Sequence, residues 1–205
     1  KVFQKADIRL RIIIVKEING KWELVEELPF NRPSFSVGHP AISVTGDTLF
    51  FASNIPDYGF GKTDLYMSIR NNGKWGKLIN LGGQINTKND DMFPFLFRNN
   101  MLIYASRGRA ASNDDLDLYY TCLTEAGFSE PQALDEFNTQ YDDFSLVIHD
   151  EEEVGYFTSR RTGGLGNDDI YKIVFEKLPL AQIRGKVIDD LTEVAIPTAA
   201  VVLYN

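Results

Sequence analysis

Residues 75–123 read WGKLINLGGQINTKNDDMFPFLFRNNMLIYASRGRAASNDDLDLYYTCL, and the chain repeats the pattern of this segment on both sides. Each copy has a polar segment that begins with an aromatic residue, an apolar segment that ends in serine, and a third segment that begins with aspartate. These anchor residues recur at intervals of 53 residues, or 52 in one case: Trp22, Trp75 and Phe128; Ser53, Ser106 and Ser159; Asp64, Asp117 and Asp169. Such a long period, kept over three copies, indicates a propeller or another repeat array.

The segments within each copy have the patterns of β-strands. LFFAS, LIYAS and GYFTS are short apolar and aromatic runs, and DLYMSIR, DLYYTCL and DIYKIVF alternate in character with a period of two. Turn residues separate the segments, as in VTGD and RNNM. Four short strands in a repeat of this length are typical of a propeller blade.

We therefore predict an all-β fold, a β-propeller built from four-stranded antiparallel blades. The predicted propeller segment covers residues 1–178, with a partial blade at 1–31 and full blades at about 32–83, 84–136 and 137–178. One blade cannot bury both of its faces alone, so neighbouring blades must stack. The aromatic residues expected between them are Phe50, Phe51, Tyr104, Tyr156 and Phe157.

The recurring anchor residues are interpreted as structural. A carboxylate at the end of a loop accepts backbone N–H groups or a serine hydroxyl and so holds the loop in place. A catalytic aspartate does not need to recur in every repeat, whereas a structural one does. We therefore predict that the serine, aspartate and aromatic anchors support the frame, and we predict no catalytic residue.

The loops between the serine and aspartate anchors vary in sequence. Variable loops on a regular frame are common sites of partner binding. The candidate contact residues are Tyr58, Arg107, Arg109, Arg160 and Arg161. The arginines either meet an anionic partner or pair within the protein, and we favour internal pairing. The aspartates expected to pair with them are Asp114, Asp115, Asp168 and Asp169.

Two pairs of adjacent aspartates suggest sharper hypotheses: Asp90 with Asp91, and Asp142 with Asp143. One hypothesis is a calcium site, but the sequence has no twelve-residue calcium-loop motif. The other is glycoside hydrolysis, which uses two carboxylates about 5–9 Å apart. Because both pairs recur with the repeat, a structural role is favoured. We predict no bound metal, no cofactor and no enzymatic activity.

Composition and charge narrow the classes of partner. Apolar residues make up 43% of the chain and aromatic residues 12%, which is typical of a globular protein. The 29 acidic residues outnumber the 21 basic ones, and the net charge of −8 disfavours binding to nucleic acid. The longest apolar runs are far shorter than the roughly 20 residues that cross a bilayer, so no transmembrane segment is predicted.

The repeat resembles that of a known family. A turn such as SVTGD, an apolar strand ending in AS or TS, a variable loop and then DLY or DIY resemble the WD-repeat-like propeller repeat of the TolB type. WGKLINLGGQINTKNDDMF and FNTQYDDFSL resemble a narrower variant of this repeat. That variant is found in Bacteroidetes cell-envelope proteins with an OmpA-like domain, including components of the type IX secretion system. The resemblance covers about residues 7–175.

The last segment resembles a different family. AQIRGKVIDDLTEVAIPTAAVVLYN, residues 181–205, is similar to the first two strands of a carboxypeptidase-regulatory-like β-sandwich. The matching residues are Gly185, Val187, Asp189, Ile196, Pro197, Ala199, Val201 and Leu203. We expect a truncated second domain here. In an alternative interpretation, these strands complete a fourth blade.

The resemblance implies a protein-interaction scaffold without enzymatic activity, periplasmic and associated with the outer membrane. Its partners would be other envelope or secretion-machinery proteins, and peptidoglycan would be bound only by a domain outside this chain. The alternative is a carbohydrate-binding or glycoside-hydrolysing propeller. Two carboxylates that do not recur with the repeat, facing each other across a funnel, would favour that alternative.

Overall fold

The computed structural model describes residues 9–56, 59–109, 114–149, 151, 153–175 and 192. The chain divides into two compact units, Lys1–Phe175 and Glu176–Asn205. The predicted start of a β-sandwich at residues 181–205 belongs to the second unit. Apart from Thr192 it lies outside the described residues, so it stays a prediction.

All regular secondary structure in the described residues is β-strand, which confirms the all-β prediction. The strands, in chain order, are β1 (Ile13–Ile18), β2 (Lys21–Glu27), β3 (Val37–Ile42), β4 (Thr48–Ser53), β5 (Asp64–Asn71), β6 (Lys74–Trp75), β7 (Ile79–Asn80), β8 (Asp91–Phe97), β9 (Met101–Ser106), β10 (Asp117–Thr124), β11 (Gly127–Phe128), β12 (Gln132–Ala133), β13 (Asp143–His149), β14 (Val154–Ser159) and β15 (Asp169–Val174).

These strands form a two-stranded ribbon, β1 with β2, and three antiparallel sheets. Sheet I has the order β3-β4-β5-β6, and β7 also pairs with β5. Sheet II repeats this arrangement as β8-β9-β10-β11, with β12 also paired with β10. Sheet III contains β13-β14-β15. In sheets I and II, two short strands therefore share the fourth position, where the sequence predicted one strand.

The serine and aspartate anchors face each other across the second and third strands of every sheet. Both strands keep the same register in the three copies, so the predicted anchors close equivalent hairpins. The opposed pairs are Ser53 with Asp64, Ser106 with Asp117, and Ser159 with Asp169.

The first strand of every sheet contains a β-bulge. The bulged residues His39, Phe93 and Ser145 have φ angles of 51°, 54° and 58°, a left-handed conformation that is uncommon for residues other than glycine. The ring of His39 stacks on that of Phe93 with a centroid distance of 4.0 Å, and Phe93 lies 4.9 Å from Phe144. The bulges therefore bring the first strands of successive sheets into contact.

The sheets stack face to face, with an apolar layer between each successive pair. Adjacent residues of a strand point to opposite faces, so one strand contributes to two layers. The layer between the ribbon and sheet I contains Ile12, Leu28, Phe30, Val37, Leu49, Phe51, Tyr66 and Trp75. The layer between sheets I and II contains Ala52, Leu65, Ile85 and Tyr104. The layer between sheets II and III contains Ile103, Leu118, Leu146 and Phe157.

The aromatic core prediction is correct at four of its five positions. Phe50, Phe51, Tyr104 and Phe157 are buried. Tyr156 was predicted to be core, which is wrong, because its side chain is 41% exposed. Phe157 points toward sheet II, so its neighbour Tyr156 points to the opposite face of sheet III.

Candidate interaction surface

The aspartate anchors hold the loops that precede the third strands. Asp64 is buried and accepts the backbone N–H groups of Phe60 at 2.6 Å and Gly61 at 3.0 Å. It also accepts the side-chain amide of Asn80 at 2.9 Å. Asp169 accepts the N–H of Gly166 at 3.1 Å. In both loops the carboxylate fixes the backbone, which is the structural role that the repeat indicates.

Asp117 lies in different surroundings. Burial is the main cause that raises its pKa to about 6, and nearby carboxylates add to the effect. These carboxylates belong to Asp143, Asp115, Asp135 and Asp142. The side chain is half-buried, so at neutral pH its negative charge lies where the surroundings disfavour it.

The hydroxyl groups of the serine anchors form hydrogen bonds at the ends of the second strands. The Ser53 hydroxyl donates to the carbonyl oxygen of Ser36 at 2.6 Å. The Ser159 hydroxyl oxygen accepts the backbone N–H of Arg161 at 3.1 Å and its Nε–H at 2.8 Å. Ser106 is buried like the other two, and its hydroxyl oxygen accepts the N–H of Gly108 at 3.4 Å.

The aromatic anchors share a spacing but not an environment. Trp75 is only 8% exposed, because it packs in the layer between the ribbon and sheet I. Phe128 is half-buried against sheet I, near Phe50. Trp22, in the ribbon, is 69% exposed. The buried anchors lie on the face that meets the preceding sheet, and no described sheet precedes the ribbon.

Two of the four candidate arginines converge on one carboxylate. Arg107 Nη2 lies 3.2 Å from Asp142 Oδ1, and Arg160 Nη1 lies 3.2 Å from Asp142 Oδ2. Arg107 also donates to the backbone carbonyl of Asp114, and Arg160 Nε lies 3.9 Å from Asp168. The main acceptor is therefore Asp142, just before the first strand of sheet III, rather than an aspartate of the arginines' own loops.

The other two arginines also have partners within the protein. Arg161 Nη2 lies 2.9 Å from Oδ1 of Asp143, a fully buried carboxylate, and the guanidinium lies 4.7 Å from the ring centroid of Phe157. Arg109 Nη2 donates to the backbone carbonyl of Ile85 at 3.0 Å. The internal bonding favoured from the sequence therefore exists for all four arginines, although mostly with other acceptors.

The loop tips project apolar side chains. GFG at residues 59–61 and GLG at residues 164–166 occupy equivalent loops, each followed three residues later by its aspartate anchor. The side chains of Phe60 and Leu165 are exposed at these tips. Tyr58, predicted as a contact residue, lies outside the described residues.

Sequence reasoning missed an asparagine that recurs in the connections between sheets. In each copy its side-chain oxygen accepts the N–H of one earlier residue, and its side-chain NH₂ group donates to the carbonyl of that same residue, at 2.7–3.2 Å. We call this pair of bonds the asparagine clasp. The clasps join Asn31 to Ile12, Asn86 to Leu65, and Asn138 to Leu118. The available signal was the recurrence of Asn in PFN, INT and FNT.

A backbone hydrogen bond also recurs at each junction. The first residue of each sheet donates its N–H to a carbonyl oxygen that lies just before the third strand of the preceding sheet, or before β1 in the ribbon. The bonds run from Val37 to Leu10 at 3.0 Å, from Asp91 to Thr63 at 2.8 Å, and from Asp143 to Leu116 at 2.6 Å. The three junctions therefore share one geometry.

The second aspartate of each adjacent pair forms hydrogen bonds within the protein. Asp91 and Asp143 are fully buried, and each accepts the N–H and hydroxyl of a threonine four residues earlier, Thr87 or Thr139, at 2.6–2.9 Å. Burial raises the pKa of Asp91 above its ordinary value. Within the described ranges, no group of three or more His, Cys, Asp or Glu side chains is arranged to hold a metal ion.

A groove of about 480 Å³ runs along the bulged first strands. It is lined mainly by apolar residues, among them Pro40, Pro94 and Leu146. Its one imidazole belongs to His39, and burial lowers the pKa of that group below 6.5. The described residues of the lining include no carboxylate, so they do not supply the paired acids that glycoside hydrolysis uses.

Comparison with protein-family models found no match to this chain, and comparison with curated proteins found none either. In the part of the chain that the structure describes, no helix is long and apolar enough to cross a membrane.

Proposed function

We propose that this chain is part of a β-propeller of the TolB type that serves as a protein-interaction scaffold without enzymatic activity. The proposal includes a periplasmic location in association with the outer membrane, as in the Bacteroidetes envelope proteins that the repeat resembles. The partners would be other envelope or secretion-machinery proteins. Binding of peptidoglycan would need a domain outside this chain.

The observation that carries the proposal is how the recurring polar side chains are used. Asp64 holds a loop, Asp143 binds threonine and arginine, and the asparagine clasps bind backbone. Reactive chemistry needs side chains that are positioned but available to a substrate. Asp64, Asp143 and the clasp asparagines are bonded within the frame, and the loop tips supply exposed surface.

Site-specific photocrosslinking tests the scaffold role. A photoreactive residue replaces Lys62, whose side chain is exposed in the loop before β5. The matched control replaces Glu125, which is exposed in the turn after β10, at the opposite end of the sheets. In a Bacteroidetes host we expect envelope proteins to crosslink at position 62 and not at position 125. Equal crosslinking at both positions, or recovery of the protein outside the envelope fraction, would contradict the proposal.

One observation favours the alternative, a glycoside-hydrolysing propeller. Asp117 has a pKa raised to about 6 and lies near other carboxylates, as the acid of a glycosidase often does. The test measures release of reducing ends from peptidoglycan glycan strands at pH 5–7. Hydrolysis that is lost in folded Asp117→Asn supports the alternative. No hydrolysis by the wild-type protein favours the scaffold.

A further inference from the structure

A second pocket, of about 520 Å³, lies between the connection from β2 to β3 and the segment from β6 to β7. We call it the tryptophan pocket, and its apolar lining consists of Pro29, Phe30, Phe35, Trp75 and Leu78. Phe30 and Trp75 belong to the layer between the ribbon and sheet I, and Phe35 and Leu78 pack against that layer. The core therefore fixes the walls of the pocket, and pre-formed apolar pockets of about 300–1,000 Å³ are typical ligand sites.

The wall of this pocket contains a hydrogen-bond donor without an acceptor. Trp75 is only 8% exposed and its Nε1 atom is buried, yet among the described residues no group accepts the indole N–H. A buried indole N–H normally has a partner, because a buried donor without one destabilises the folded protein. Since Trp75 lines the pocket, a ligand bound there can supply the acceptor.

The residues that distinguish the tryptophan pocket do not recur in the other sheets. Phe128 occupies the position of Trp75 in sheet II, and phenylalanine has no N–H donor in its side chain. Arg32, which follows the clasp asparagine and lines the pocket, occupies the position of Thr87 and Thr139. The frame is built from residues that recur, so residues that one copy alone carries point to binding at this junction.

The polar groups of the pocket favour a peptide over a sugar. The hydroxyl groups of a sugar need acceptors as well as donors, and no lining side chain is an acceptor. The guanidinium of Arg70 lies 5.5 Å from the centroid of the Trp75 ring, where a sugar would stack. A proline-rich segment has different requirements, because proline has no N–H, and in the polyproline II conformation its carbonyl groups make no internal hydrogen bonds.

We propose that the tryptophan pocket binds a proline-rich segment of a partner protein in the polyproline II conformation. The proline rings pack against the aromatic side chains, and one backbone carbonyl of the segment accepts the Nε1–H of Trp75. Arg32 and Lys77 are exposed at the pocket, and they favour an acidic residue beside the prolines. The inference rests on the proposed scaffold role and names the chemistry of one partner.

The probe is the peptide DPPPPPPD with acetylated and amidated ends, titrated into the full chain. NMR spectra follow the indole N–H resonances of the two tryptophans. We expect the resonance of Trp75 to shift, while that of Trp22, which is 69% exposed in the ribbon, stays in place. A peptide with glycine and serine between the same two aspartates should bind about tenfold more weakly or worse, because it lacks the rings and loses more conformational entropy on binding.

Two variants separate the donor from the charge, with affinities measured by titration calorimetry and folding checked by circular dichroism. Trp75→Phe introduces the residue that sheet II has as Phe128, and it should weaken binding about fivefold because one hydrogen bond is lost. Lys77→Glu changes an exposed residue to the type that sheet II has as Glu130. It should weaken binding of DPPPPPPD about threefold and strengthen binding of KPPPPPPK. Trp22→Phe is the matched control and should leave the affinity unchanged.

Four results would overturn the inference. The first is a Trp75 resonance that DPPPPPPD does not shift, and the second is equal affinity of the wild type and folded Trp75→Phe. The third is a resonance that shifts on dilution or in Pro179→Ala without peptide, since a second copy or the chain's own tail would then be the occupant. The fourth is a shift caused by glycan fragments of peptidoglycan and not by the peptide. Crosslinking at position 62 reports a partner at the loop tips, so it can succeed where the peptide fails, and the two failures are distinguishable.

Discussion

Replacing Asn86 by alanine tests whether the clasps hold the sheets together. The side chain is buried and makes three hydrogen bonds: it accepts the N–H of Leu65 at 2.8 Å, donates to the carbonyl of Leu65 at 3.0 Å, and donates to Oδ1 of Asn80 at 2.9 Å. The Leu65 carbonyl keeps a second donor, the N–H of Leu81 at 3.1 Å. The Leu65 N–H loses its acceptor in the substitution.

The expected cost follows from these contacts. Each net hydrogen bond contributes about 1 kcal/mol, and a buried N–H without an acceptor costs about 1–3 kcal/mol. Two bonds to the Leu65 backbone, one of which leaves a stranded donor, give a loss of about 3 kcal/mol in the free energy of unfolding. For a chain of this length the midpoint of thermal unfolding should fall by about 6–12 °C.

Thermal and urea unfolding followed by circular dichroism measure this loss. Asn100→Ala is the matched control, because Asn100 is exposed in the turn between β8 and β9 and its change should cost less than about 0.5 kcal/mol. Asn86→Asp keeps the size but turns the donor into an acceptor that faces the carbonyl of Leu65. It should destabilise at pH 7 and recover partly near pH 4, where the carboxyl is protonated. If Asn86→Ala unfolds within about 2 °C of the wild type, a loss of about 1 kcal/mol or less, the clasp does not hold the sheets together.

Three further predictions use the anchors and the arginines. Asp64→Ala should lower the free energy of unfolding by about 3–5 kcal/mol, because it removes three hydrogen bonds to a buried carboxylate. Asp169→Ala removes one bond, to Gly166, and should lower it by about 1 kcal/mol; urea midpoints compare the two variants. The raised pKa of Asp117 means that ionisation disfavours the folded state, so wild-type stability should fall as pH rises from about 4 to 6. Below pH 4 the free energy of unfolding of Asp117→Asn should equal that of the wild type, and above pH 6 it should be higher by about 1 kcal/mol. The difference is small because solvent screens this half-exposed group. Equal stability of the two proteins at pH 8 would contradict this prediction. Arg161→Ala should lower the free energy of unfolding by about 3 kcal/mol, because it removes the cation beside the fully buried Asp143. Arg160→Ala should lower it by less than about 1 kcal/mol, because the Arg160 side chain is 47% exposed.

The strands and their register were predictable because both depend on local patterns that recur. Alternation of apolar residues locates the second and third strands. The serine and aspartate anchors, 10 or 11 residues apart in each copy, mark the residues that pair across them. Burial was less predictable. Trp22 and Trp75 occupy equivalent positions, but only Trp75 has a neighbouring sheet on its side.

The polar contacts between sheets were not predictable from distance along the chain. Arg107 pairs with Asp142, which is 35 residues away, although Asp114 and Asp115 are much nearer in sequence. The reason is geometric: stacking places the segment that begins the next sheet beside the loop of the previous one. From the sequence alone, the arginines of a loop are expected to pair with aspartates of the same loop. The INT and FNT motifs are visible in the sequence, but the role of their asparagines is not, because the clasped residue lies 20 or 21 residues earlier.

The clasps also explain which positions of the repeat keep one residue type. Asn31, Asn86 and Asn138 bind backbone N–H and C=O groups, and those groups are the same in every copy whatever side chain they carry. A position whose partner is a side chain can change together with that partner. The pair formed by Thr87 and Asp91 is kept as Thr139 and Asp143, but the junction between the ribbon and sheet I has Arg32 and Val37 in these places. Within this chain, a polar residue that recurs without a recurring side-chain partner therefore indicates a contact to the backbone. By this criterion the recurring asparagine, rather than the paired aspartates, was the most informative polar signal for how the sheets join.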